Sequence, residues 1–157
     1  MAHVSPGTLA GVPALEIDVE QLAREGRGII VTGWVANLLF AATAIPVALG
    51  IDGALGVAIG VALLLFVVAI GAFVYAFGVG MARSTRGDDV AVANLFFLQG
   101  SAPKPIRHNF LAMFLVCLAV TAATAAWEPF GVLVPMLPIG LAGMWAARYG
   151  VFPPRRK

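Results

Sequence analysis

Few residues in this chain are of types that do chemistry, and their spacing restricts what that chemistry is. The two histidines, His3 and His108, stand in an N-terminal Gly/Pro/Ser-containing stretch and beside the basic residue Arg107. Neither has an acid and a nucleophile at a credible spacing, so a Ser-His-Asp set is excluded. The single cysteine, Cys117, lies in an apolar run with no Cys or His at metal-ligand spacing, and it has no partner for an intrachain disulfide. A haem between facing histidines is excluded for the same reason, and Met113 and Met136 read as packing residues rather than axial ligands. No glycine-rich loop follows a strand, so no nucleotide site is expected. These residues point to no catalytic activity, no cofactor and no metal.

Transport chemistry would use different residues. Ionisable side chains within a bilayer are costly and mark proton paths or ion sites where they occur. The apolar stretches of this chain carry none in their middles; the first offers only Thr32, Asn37 and Thr43. Asn37 is suited to a hydrogen bond across helices. Pro135 and Pro138 predict a bend in the last apolar stretch, because proline removes helix hydrogen bonds. With no charge beside them, they read as a structural bend rather than a transport site.

The elements that must position these residues follow from hydropathy. Of the 157 residues, 61% are hydrophobic and 11% charged, whereas soluble domains hold about 25% charged residues. The run Leu55 to Met81 has 27 residues without a charge. About 20 apolar residues suffice to span a bilayer core. Four spans are expected, at about 29–49, 55–81, 109–127 and 130–147. The fold class is therefore an all-α membrane protein, with four transmembrane helices as two hairpins joined by residues 82–108. Gly50-Ile51-Asp52-Gly53 and Glu128-Pro129 form the tight turns. Residues 1–28 make an N-terminal tail, 29–147 the membrane domain and 148–157 a basic tail. The first 27 residues lack the basic start and apolar core of a signal peptide.

Short amphipathic helices accompany the spans. Leu15, Val19 and Leu22 recur at helical spacing, with Asp18 as N-cap, which reads as a short helix on the membrane surface or equally as a frayed lead-in to the first span. In the central loop, Asp88 or Asp89 caps a helix running to Gln99, with Gly100 as its stop. This segment is too short to span; it is interfacial, re-entrant, docked on a partner, or folded back as a flap.

Charge gives an orientation. The ten Lys and Arg residues fall before span one, in the central loop and after span four, while the tight turns hold only Asp52 and Glu128. By the positive-inside rule, both termini and the central loop are cytoplasmic, in a multi-pass protein of a bacterial inner membrane. Trp127 marks the outer edge, and Tyr75, Trp145 and Tyr149 the inner one. The net charge of +2 is explained by this asymmetry, with no nucleic-acid partner needed. Arg83, Arg86, Lys104 and Arg107 are candidate contacts for lipid headgroups.

The remaining signals concern packing. Gly56 and Gly60 form a GxxxG pair, and Ala72, Ala76 and Gly80 continue a spacing of four. Small residues permit close helix approach in lipid, either within the bundle, which is the favoured reading, or to another subunit. Gly56, Gly60, Asn37, Phe96 and Phe97 are the candidate interface residues.

The Ala/Gly/Val/Arg bias and the runs ANLFFLQGSAPKPIRHNF and EPFGVLVPMLPIGLAGMWAARYGVFPPR resemble small four-span inner-membrane proteins of actinobacteria. The resemblance covers roughly residues 28–154. It implies an accessory subunit of a larger assembly, similar to the lipid-uptake coordinators that associate with the permease of mammalian-cell-entry (Mce) lipid importers. Accessory subunits of the respiratory supercomplex are a second resemblance, and a small homo-oligomeric transporter or channel is the third reading. The partners so implied are integral membrane subunits, a permease above all, and membrane lipids. No functional motif of these families is matched, so no site residue follows from the resemblance.

Overall fold

The computed structural model describes residues 24–154. The amphipathic helix expected around Leu15 to Leu22, and the tail cations Arg155, Arg156 and Lys157, lie outside the described residues. Among the described residues the regular structure is helical, with four segments long and apolar enough to cross a membrane, as in a multi-pass integral membrane protein.

Helix α1 spans Arg27–Ala48 and α2 spans Ala54–Thr85. The turn between them needs backbone that L side chains resist: Gly50 and Gly53 have φ of +75° and +79°, a region glycine enters without a Cβ clash. Helix α2 has 32 residues, about 48 Å at 1.5 Å per residue. It extends beyond the apolar run and carries Arg83 on its last turn. The short helix α3, Val92–Phe96, precedes α4, Lys104–Thr124, which starts directly after Pro103 with Pro105 in its first turn. Proline is tolerated there because the first N–H groups of a helix have no partner to lose.

The fourth segment departs most from expectation. Proline does not bend a continuous helix. Instead a 3-10 helix, Pro129–Leu133, gives way to α5, Met136–Tyr149, with Pro135 as its N-cap and Pro138 in its first turn. Both prolines thus stand where the missing N–H is least costly, and the helix is interrupted rather than kinked. Two pieces laid end to end, Pro129–Tyr149, make the fourth candidate span.

This segment is also the centre of the bundle. Helix α2 packs most extensively along it, and α1, α3 and α4 also touch it. Close approach comes from small residues on both sides. A Cβ on Gly140 would lie 3.1 Å from the Ala69 carbonyl oxygen, and one on Gly143 would lie 2.5 Å from the Phe96 ring. Facing them, Ala58, Ala62, Ala69, Ala72, Ala76 and Gly80 line the inward side of α2.

The central loop folds onto the bundle's own helices. Leu95, Phe96 and Leu98 are buried, and the Phe96 ring stacks on Phe73 at 4.8 Å and leans on Phe77 at 5.5 Å. The segment thus packs on its own bundle through one side, with Val92 and Phe97 exposed on the other. Helix α3 is shorter than the expected 89–99 at both ends: Asp88 is an ion-pair partner of Arg83 and does not cap it, and the backbone leaves the helix after Phe96, with Leu98 at φ +56°. The Asn94 carboxamide takes over the capping role: its Oδ1 accepts the Ala91 N–H at 2.7 Å, and its Nδ2 donates to the Asp89 carbonyl. Gly100 is not the helix stop expected from sequence: the helix ends at Phe96, Leu98 turns left-handed, and Gly100, at φ +75°, lies in the turn that follows.

Candidate functional site

Three places gather the residues singled out above: the core of the turn-rich end, the outward face of α2, and the basic end around Arg83.

At the end that holds Asp52 and Glu128, helix α4 sends Met113, Cys117, Thr121 and Thr124 inward at helical spacing. Asn37 crosses from α1 and donates from Nδ2 to the Met113 carbonyl at 2.8 Å. It is thereby a tie inside the bundle rather than a surface group. Thr121 Oγ1 donates to the Gly131 carbonyl at 3.2 Å, and Thr124 Oγ1 to the Val120 carbonyl at 2.9 Å. Glu128, a turn residue by sequence, folds back into the bundle and is fully buried. Its carboxylate lies over Gly131 beside the Phe40 ring, and neither oxygen has a hydrogen-bond partner. Burial pushes its carboxyl above the usual 4.5, because desolvation disfavours the charged form. The backbone N–H groups of Phe130 and Gly131 offset part of this without closing hydrogen bonds on the carboxylate. The arrangement can hold a proton. Groups of three or more His, Cys, Asp or Glu residues suited to a metal do not occur among the described residues.

The outward face of α2 is different in kind. Gly56, Gly60, Gly71 and Gly78 are exposed, and a Cβ on any of them would meet nothing within 4 Å. At 3.6 residues per turn the four fall within about 60° of one another, a single stripe along the helix. The contact within the bundle expected for Gly56 and Gly60 is therefore not formed. Nor do Ala72, Ala76 and Gly80 extend their stripe. Those three are buried on the opposite side of the helix, because the 12 residues from Gly60 to Ala72 amount to about a third of a turn more than a whole number of turns. Gly71 and Gly78 were missed in the sequence by following intervals of four alone; a helical projection places them with Gly56 and Gly60. Exposed Val67 and Val74 fall on the same arc between the glycines, and exposed Met81 lies at its edge.

Compared with protein-family models, with curated proteins and with solved structures, the chain matches none of them.

At the basic end, Arg83 is committed to the protein itself. Its Nε donates to Asp88 Oδ2 at 2.9 Å, its Nη1 to the carbonyls of Gly150 at 2.9 Å and Ala147 at 3.3 Å, and its guanidinium lies 4.6 Å from the Phe152 ring centroid. It ties the end of α2 to the end of α5 and is not a free headgroup contact. Arg86, Lys104 and Arg107 are exposed. Phe96 is spent on the bundle, whereas Phe97 is exposed. Trp145 is fully buried beneath the Gly26 backbone, so it is not the interfacial anchor expected from sequence; Tyr75 remains exposed.

Proposed function

We propose that the chain is a non-catalytic accessory subunit of a multi-subunit envelope membrane complex, with the outward stripe of α2 as its docking face. The observation that carries this reading is Gly56, Gly60, Gly71 and Gly78 standing open on one side of a single helix. Glycine in a helix interior is unfavourable by roughly 0.5–1 kcal/mol relative to alanine. Here that cost brings no contact inside the bundle. In lipid, helix association rests on close packing rather than on hydrophobic burial, so a glycine track suits the backbone of another transmembrane helix. The partner class that the sequence resemblance implies is the permease of an Mce-type lipid importer. The basic end, with Arg86, Lys104, Arg107 and Arg148, faces the cytoplasm of a bacterial inner membrane in this reading, by the positive-inside rule.

The test is affinity purification of the tagged full chain from its native membrane in mild detergent, with mass spectrometry of what is retained. Wild type is expected to bring down a larger membrane complex, and Gly60→Val or Gly71→Leu to lose it while the chain itself stays folded. Recovery of the chain alone would sink the proposal. Recovery of two copies of this chain and nothing else would make the stripe a homodimer face instead.

A further inference from the structure

Away from the α2 stripe, a cavity of about 170 Å³ opens between α4, α5 and the residues that follow α3. Its origin is a mismatch of side-chain size. Helix α5 presents Pro138 and Ala142, one turn apart, opposite Phe110 and Phe114, also one turn apart, on α4. Small against large at matched heights leaves a hollow that neither helix fills. The turn Phe97–Gln99 closes one end. That turn is held in an unusual conformation: Leu98 has φ +56° and its side chain is buried. Left-handed backbone is disfavoured for leucine because Cβ crowds the following carbonyl, so packing in the core, not local preference, holds this wall in place.

The lining is apolar apart from Gln99 and Arg107. Arg107 is exposed, lies on the first turn of α4, and has no acidic partner among the described residues. An apolar hollow with one guanidinium at its edge, at the basic end of a membrane bundle, selects for an amphiphile with matching parts. Methylene groups leave the bilayer for a fitted wall of aromatic rings, and an anionic oxygen pair meets a donor fork that suits phosphate.

We propose that this cavity binds a short stretch of one acyl chain of an anionic phospholipid, about six carbons by comparison with a cavity of about 150 Å³ that benzene fills, with the phosphate on Arg107 and those carbons between Phe110, Phe114 and Ala142. At about 170 Å³ the cavity is smaller than the about 300–1,000 Å³ of a pocket for a drug-sized ligand, and so too small for a whole lipid. The remainder of the molecule therefore stays in the bilayer, and the site holds a lipid at the protein edge rather than carrying it across.

The experiment is native mass spectrometry of the delipidated full chain in detergent, titrated with phosphatidylglycerol or phosphatidylcholine. Wild type is expected to retain a single phosphatidylglycerol roughly fivefold more tightly than phosphatidylcholine, the effect of one basic residue at a membrane surface. Arg107→Gln, at an exposed position that leaves the fold intact, is expected to remove that preference. Ala142→Leu is expected to weaken both lipids by filling the hollow, and Lys104→Gln, one turn away and outside the lining, to change neither. Equal retention of the two lipids by wild type would overturn the proposal. So would an unchanged preference in Arg107→Gln, or an equal loss in Lys104→Gln, which would reduce the effect to general surface charge. Displacement of the lipid by glycerol phosphate alone would make this a phosphate site with no use for the chain, and would overturn it too.

Discussion

Helix α2 and the segment Pro129–Tyr149 lie against each other along much of their length, yet they reach that position by opposite means. Helix α2 is continuous, 32 residues long and the most apolar of the four spans, but only 28% of its most apolar stretch is buried. The fourth segment is less apolar, interrupted by prolines and partly 3-10, and 61% of its corresponding stretch is buried. In a soluble protein the most hydrophobic element would sit at the centre. In lipid the tails are as apolar as leucine, so hydrophobicity does not draw one helix inside another. What decides the centre is how closely backbones can approach. The fourth segment supplies Gly131, Gly140 and Gly143 at its contacts, whereas α2 keeps mainly alanines inward, with Gly80 at its end, and turns its other four glycines out.

This contrast can be broken at specific residues. The largest effect is expected at Gly143→Val. The added side chain has no room beside the Phe96 ring and the Ala76 Cβ, and overpacking of this kind costs about 2–3 kcal/mol. Unfolding in mixed micelles with increasing denaturing detergent measures it, and wild-type resistance would remove the fourth segment from the centre of the fold. Next is Arg83→Gln, which loses the ion pair to Asp88 and the bonds to the Ala147 and Gly150 carbonyls. Because this side chain is 24% exposed, a loss of about 1–2 kcal/mol is expected rather than the full value of charged hydrogen bonds. The same assay reads it, together with increased protease access near Gly150.

Glu128→Gln is read through pH. The folded state holds this carboxyl above 4.5, so between that ordinary value and its raised one the folded protein binds a proton that the unfolded chain releases. Stability is therefore fully present below the ordinary value and falls as pH rises through the window. Glu128→Gln is expected to flatten this decline, seen as midpoints of thermal unfolding over a pH series; identical slopes in both proteins would place the carboxylate in solvent. The smallest effect is expected at Gly60→Val, where the added atoms meet nothing. Stability should stay within about 0.5 kcal/mol of wild type. A drop as large as that at Gly143 would mean that both faces of α2 are packed.

Much of the architecture was legible before any contact was known. The four spans and their tight turns follow from apolar run length and from the glycines at 50 and 53. The segment was legible as a short helix, though Gly100 looked like its stop and Asp88 like its cap; the helix instead ends at Phe96, before Leu98 turns left-handed, and Asp88 serves Arg83. The candidate interface residues divided. Gly56, Gly60 and Phe97 are outward, while Asn37 and Phe96 are bound into the bundle. No local feature distinguishes Phe96 from Phe97, because adjacent residues on one short helix point apart and only the place where the helix lands selects between them.

The sequence by itself determined that four stretches of the described residues are long and apolar enough to cross a membrane, and where the cations collect between them, because these depend on the composition of contiguous stretches. Only the tertiary structure decided which side of α2 is inward, that Glu128 is buried, and that the proline-rich segment is central. The physical reason is the uniformity of the spans. A helix apolar all round carries no contrast between core and lipid faces, so burial is assigned by shape, through glycine and alanine contacts made by residues far apart in the chain.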